Sequence, residues 1–163
     1  MDSSSEAERP GRVRAIAAKA WRQPEARRSP RRRPLILIVD DSADTREVYT
    51  EYLRHRGLDV ITAVDGAAGI ELATRTKPNV IILDLAMPRM SGVSAAHHLK
   101  HDPRTRKIPI IMLTGYALRA IQEGALEMGV DVFLTKPCLP EDLEGHVAAL
   151  LRGRSSQRND KPA

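Results

Sequence analysis

Asp40-Asp41, Asp84, Thr114 and Lys136 each stand at or just beyond the end of a short apolar run, the runs being 35–39, 80–83, 108–113 and 130–134. If those runs are strands of an open parallel sheet, the residues after their carboxyl ends share one edge, the place where such sheets bind ligands. Three carboxylates, a hydroxyl and an ammonium are a costly arrangement for structure alone, because neighbouring carboxylates repel and raise one another's pKa. A divalent cation relieves that conflict. Magnesium, which prefers hard oxygen ligands and retains water, suits two carboxylates and a backbone carbonyl. With a metal beside it, Asp84 is a candidate nucleophile toward phosphorus, since carboxylates form aspartyl phosphates. Lys136, Thr114 and nearby backbone N–H groups would then neutralise the phosphoryl oxygens.

The elements that must position these groups are legible in the hydrophobic pattern. Helical periods fall between the apolar runs, over 42–56, 66–76, 93–100, 117–128 and 140–151, and a further strand over 59–63 ends without a chemical group. Gly57 and Gly129 follow helices where a left-handed cap is favoured, and Pro140 suits a first helical turn. Alternating strands and helices joined by short loops require right-handed crossovers and an α/β sandwich of three layers.

These residues bring out a likeness to a known family. Over 35–151 the chain resembles the receiver domain of two-component response regulators, in Val39-Asp40-Asp41-Ser42, in the stretch from Leu83-Asp84-Leu85-Ala86-Met87-Pro88 to Gly92, in Leu113-Thr114-Gly115-Tyr116, and in Phe133-Leu134-Thr135-Lys136-Pro137. The resemblance implies a flavodoxin-like (βα)5 fold with strand order 2-1-3-4-5. It implies Asp84 as phosphoacceptor, with Mg²⁺ held by Asp41 directly, by Asp40 partly through water, by Asp84, and by the Ala86 carbonyl. Thr114 is then the switch hydroxyl, Phe133 an aromatic switch coupled to it, and Lys136 the phosphoryl-binding cation before a cis bond to Pro137. Ala86 and Tyr116 occupy the positions where the family tunes phosphoryl lifetime. Phe133 has no hydroxyl, so its switching would depend on packing alone. The implied partners are a sensor histidine kinase or phosphotransfer protein and an unidentified downstream protein, with the chain a monomer or a phosphorylation-linked dimer. The chain reads as a stand-alone receiver whose only chemistry is accepting and hydrolysing its own phosphoryl group, not as an enzyme acting on other substrates.

Charge divides the chain further. Residues 1–34 hold ten Lys/Arg and four Asp/Glu, 35–151 hold twelve and sixteen, and 152–163 hold four and one. The first segment reads as a basic, disordered arm and the last as a polar tail. Within the arm, Val13, Ile16, Ala17, Ala20 and Trp21 fall at helical spacing, although so short a helix is marginal alone. The arm's arginines could make weak, salt-dependent contact with nucleic acid or an anionic surface. No apolar run approaches the roughly 20 residues of a membrane span. The arginines of the arm lack the apolar stretch of a secretory signal, and the lone Cys138 fits a reducing compartment, so the expected location is cytoplasmic. Two rival functions remain on this reading. One is a phosphate-independent adaptor working through the arm, and the other an aspartate-nucleophile phosphatase, against which Ala86 stands where a second acid would be expected. His97 and His101 share a helix face, with no evident third metal ligand. Cys138 reads as a small packing residue.

Overall fold

The computed structural model describes residues 32–115 and 119–159. Ten elements alternate along the chain: β1 Leu35–Val39, α1 Ala43–His55, β2 Asp59–Ala63, α2 Gly66–Thr76, β3 Val80–Asp84, α3 Gly92–His101, β4 Ile110–Thr114, α4 Arg119–Glu127, β5 Val132–Thr135 and α5 Pro140–Asn159. The strands form one parallel sheet in the order β2-β1-β3-β4-β5. This is the expected flavodoxin-like arrangement. Residues 1–31 of the basic arm, with its candidate helix, residues 160–163 of the tail, and Tyr116 lie outside the described residues.

Side chains alternate across the pleat, so the apolar strands feed two cores. Leu37, Val39, Ile81, Leu83, Ile110 and Met112 face Ala73 of α2, Ala95, Ala96 and Leu99 of α3, and Ala125 of α4. Ile36, Ile38, Val80, Ile82, Ile111 and Leu113 face Tyr49 and Leu53 of α1 and Leu143 and Val147 of α5. Each fully buried aliphatic side chain contributes about 1.5–3 kcal/mol relative to exposure. That is why β1, β3 and β4 are continuous apolar runs while β2, at the sheet edge, alternates.

Three of the helices begin on side-chain caps. Ser42, Asp65 and Ser91 accept the N–H groups of Thr45, Ala68 and Ser94 at the starts of α1, α2 and α3. Gly57, at φ 86°, closes α1: its N–H bonds the Arg54 carbonyl, and the Leu58 N–H bonds the Leu53 carbonyl. This is a Schellman closure, and it confirms the left-handed cap that the sequence predicts.

Most boundaries fall within a residue of the sequence reading, and three shift further for a visible reason. Strand β4 begins at Ile110 rather than 108, because Pro109 has no N–H for the ladder. Strand β5 begins at Val132 because the Val130 N–H closes α4 against the Ala125 carbonyl. Helix α5 continues past 151 to Asn159, so most of the expected tail is helical. The Arg154 guanidinium donates to the Asn79 carbonyl at 2.9 Å, tying this extension to the amino-terminal end of the sheet.

Candidate phosphoacceptor site

Strand geometry gathers the predicted residues. Asp40 follows β1, and its N–H pairs with the Ala63 carbonyl at 3.2 Å, continuing the ladder one residue beyond the strand. Asp84 and Thr114 are the last residues of β3 and β4, and Lys136 follows β5. The Lys136 N–H donates to the Thr114 carbonyl at 2.7 Å, which sets the loop after β5 beside β4. Carboxylate oxygens of Asp40, Asp41 and Asp84 lie within 4.8 Å of one another. Asp40 and Asp84 are 2% and 5% exposed, whereas Asp41 is open to solvent.

Lys136 is the cation among these acids. Its Nζ lies 2.9 Å from Asp40 Oδ2 and 3.5 Å from Asp84 Oδ1. Burial raises the Asp84 pKa above the ordinary carboxylate value; the Lys136 charge opposes this and the Asp40 charge adds to it. Burial disfavours the charged form of Lys136, but its hydrogen bond to Asp40 and the nearby carboxylates outweigh that and raise its pKa. Asp40 is held on every side: Oδ1 accepts the Ser42 N–H at 2.8 Å, Oδ2 accepts from Lys136, and its backbone carbonyl accepts from Arg46 Nη1 at 2.7 Å.

The loop after β3 folds back on Asp84. The Leu85 N–H bonds the Leu113 carbonyl at 3.0 Å, and the Gly92 N–H bonds the Leu85 carbonyl at 2.8 Å. A Cβ on Gly92 would overlap the Asp84 carbonyl oxygen and approach the Leu85 Cα to 2.7 Å, so only glycine fits there. Ala86 is exposed beside Asp84, and its N–H faces Asp84 Oδ1 at 3.4 Å.

Thr114 is fully buried, and Phe133, on β5 opposite Met112, is half-buried against the core that α2, α3 and α4 cover. The Lys136–Pro137 bond is cis, as the resemblance implies. Beyond it, the Cys138 carbonyl accepts the Tyr49 hydroxyl at 2.9 Å, and Cys138 packs against the core beneath α1 and α5.

The remaining candidates lie apart from this cluster. The His97 and His101 rings stack with centroids 4.0 Å apart, and His101 Nδ1 bonds the His97 carbonyl at 2.8 Å. The acidic triad is the only group of three or more metal-binding side chains among the described residues. Sequence reasoning missed Arg46 and Tyr49, whose partners are backbone carbonyls. It also missed the ion pair of 3.5 Å between Arg89 and Asp65, the residue that caps α2.

Comparison with known proteins places this geometry. The family model of the response regulator receiver domain matches residues 36–148. The DNA-binding dual master transcriptional regulator RpaA of Synechocystis is 40% identical over 121 residues, covering 73% of this chain and 49% of that protein. The phosphate regulon transcriptional regulatory protein PhoB of Escherichia coli is 33% identical over 117 residues, covering 72% and 51%. This chain thus spans about half the length of the curated relatives it matches. Among solved structures, the chemotaxis protein CheY4 of Vibrio cholerae superposes with a TM-score of 0.70 at 29% identity, covering 73% of this chain and 99% of that one.

Proposed function

The chain belongs to the response regulator receiver family of two-component systems, and on that premise we propose that Asp84 accepts a phosphoryl group from a histidine kinase or phosphotransfer protein. The observation that carries this reading is the Lys136 ammonium held between Asp40 and Asp84, with Asp41 beside them at the carboxyl edge of the sheet. A carboxylate oxygen of Asp84 attacks phosphorus while the donor's bond to phosphorus breaks and its leaving group departs with the electron pair. The product is an acyl phosphate. Lys136, already charged and oriented, neutralises one phosphoryl oxygen, and the Thr114 hydroxyl serves another.

The donor set fits a hard divalent cation, since three carboxylates meet a single ammonium. Asp40, Asp41 and Asp84, with the Ala86 carbonyl, would hold Mg²⁺, which when bound offsets negative charge on the phosphoryl oxygens. Thr114 and Phe133 would then carry the change of state toward α4, β5 and α5 by a population shift, presenting that surface to a downstream protein or a second copy. Ala86 and Tyr116 are the positions proposed to set phosphoryl lifetime.

The test is the intact mass of the full chain after incubation with acetyl phosphate and Mg²⁺, beside Asp84→Asn and EDTA controls. The expected result is a gain of one phosphoryl group that both controls abolish. No gain in folded protein would defeat the reading and leave a receiver fold used as a phosphate-independent adaptor. Turnover of small phosphate esters would instead revive the phosphatase alternative.

A further inference from the structure

A parallel sheet with right-handed crossovers has two unlike ends, and here they differ in charge. The end bearing Asp84, taken over 40–46, 64–66, 84–91, 119 and 135–142, holds seven Asp/Glu and four Lys/Arg. The opposite end comprises the entry to β1, the loops leading into the other strands, and the close of α5. Over 33–34, 54–59, 75–79, 100–109, 127–131 and 151–156 it holds eleven Lys/Arg and four Asp/Glu. We infer that this amino-terminal end of the sheet is a docking face for the phosphate backbone of duplex nucleic acid.

Hydrogen bonds join these segments into one surface. Lys77 Nζ donates to the Arg104 carbonyl at 3.0 Å, joining the loops into β3 and β4. Arg154 ties α5 to the first of these at Asn79, and Asn79 Oδ1 accepts the Leu35 N–H at 2.8 Å, joining β1. Four of the eleven bases are paired with carboxylates, Arg56 with Glu144 and Arg75 with Glu71 from beyond these segments, Lys100 and Arg104 with acids of the face itself. Asp102 is gripped by Arg104 through a contact of 2.7 Å, and Asp131 accepts from Lys100 at 3.4 Å and from the Ile110 N–H at 2.9 Å. Arg33, Arg106, Lys107 and Arg152 are exposed, and no described carboxylate pairs with them. Their charge is therefore available to a partner.

The composition of the face selects the partner. Eight of the eleven bases are arginine, whose planar fork binds phosphate oxygens in pairs where lysine offers a point charge. Five strands at a spacing of about 4.8 Å make the end roughly 20 Å across before the helices are added, and a duplex carries one phosphate per about 1.7 Å of axis. Of the exposed large apolar residues, Val48, Val64, Leu126 and Leu139, only Leu126 lies at this end, which argues against insertion into a lipid surface. The face carries no Phe, Tyr or Trp for stacking on bases, its described rings being the imidazoles of His55 and His101, and it offers chiefly backbone contact, so the binding is expected to be largely indifferent to sequence.

The experiment is fluorescence anisotropy of a labelled duplex DNA of arbitrary sequence, titrated with the full chain over about 50–200 mM salt. Arg106→Glu, Lys107→Glu and Arg152→Glu are combined in one variant. Arg28→Glu, Arg31→Glu and Arg32→Glu in a second separate the arm from the face. The face variant is expected to bind at least about tenfold more weakly at low salt, with a salt slope smaller by roughly three, one for each lost phosphate contact. A face variant that binds and responds to salt like the parent overturns the inference, and so does a parent that binds no duplex. Phosphatidylserine vesicles are the competing arm: vesicle binding without duplex binding also overturns it. Should charge reversal prevent folding, the same three positions changed to Gln must show the same loss.

Discussion

The close approach of α3 to the end of β3, where Asp84 stands, makes Gly92→Ala the sharpest perturbation of the site's geometry. The new methyl group would meet the Asp84 carbonyl oxygen and the Leu85 Cα, which are backbone, not the yielding end of a side chain. Asp84 is pinned by its pairing with β4, and Gly92 by its 2.8 Å hydrogen bond to the Leu85 carbonyl, so neither side can move cheaply. Overpacking of this kind costs about 1–3 kcal/mol, and loss of the hydrogen bond adds about 1 kcal/mol. Alanine's better helix propensity and the reduced freedom of the unfolded chain return up to about 1 kcal/mol. The balance is a destabilisation of about 1–3 kcal/mol, or a fall in Tm of roughly 3–10 °C for a domain of this size. Gly145→Ala, in α5 with nothing within 4 Å of the added methyl, makes the same chemical change without the clash and is expected to stabilise by about 0.5–1 kcal/mol. Thermal and urea melts measure both. Gly92→Ala should also slow phosphoryl gain from acetyl phosphate, because any relief of the clash moves the Asp84 backbone. If the two alanines shift stability in the same direction, the steric argument fails.

Three further outcomes follow from the same contacts. Lys136→Met leaves Asp40 and Asp84 buried beside each other without their cation, and the partly exposed ammonium makes the expected loss about 1–3 kcal/mol; a urea midpoint equal to the parent's would count against the ion-pair reading. Tyr49→Phe removes the hydroxyl that holds the Cys138 carbonyl, for a loss of about 0.5–1.5 kcal/mol and faster hydrogen exchange in the loop after Pro137. Asp102 is held at about 2 by its hydrogen bonds to the Arg104 side chain and N–H, below the ordinary 3.8. A depressed carboxyl pKa stabilises the fold above the ordinary value, and that contribution disappears as pH falls from about 4 to about 2. Tm measured across that window should therefore fall less in Asp102→Asn than in the parent.

The parts of the fold that the sequence revealed are those written in a local period. Five apolar runs, five helical repeats and the punctuation at Gly57 and Pro140 need only near neighbours to be understood, and the structure places each element where they indicate. The ends of elements were less legible because they depend on distant partners. Val130 looks like a strand residue and is instead consumed in closing α4, while α5 outlasts its apolar face because Arg154 reaches Asn79 across the sheet. The acidic site was legible for a related reason. A group standing directly after an apolar run in a parallel sheet must emerge at the carboxyl edge, whatever its partners are.

The groups that hold the site in place obey no such rule. Arg46 and Tyr49 both lie on α1, and each bonds a backbone carbonyl, of Asp40 and of Cys138, the latter 89 residues away in sequence. A carbonyl acceptor leaves no trace in residue type, so nothing in the text of the chain marks these bonds. The charge polarity of the domain lies between the two cases. Each base sits near a helix end or in a loop and reads as solvated, but the topology returns every such segment to one end of the sheet while the acids of the candidate site emerge at the other. An overall charge of +5 therefore conceals two surfaces of opposite sign. Their separation is set by the crossover rule itself, since no strand can be reversed without dismantling the sheet. A partner drawn to the basic end would leave Asp84 open to the phosphodonor proposed for it.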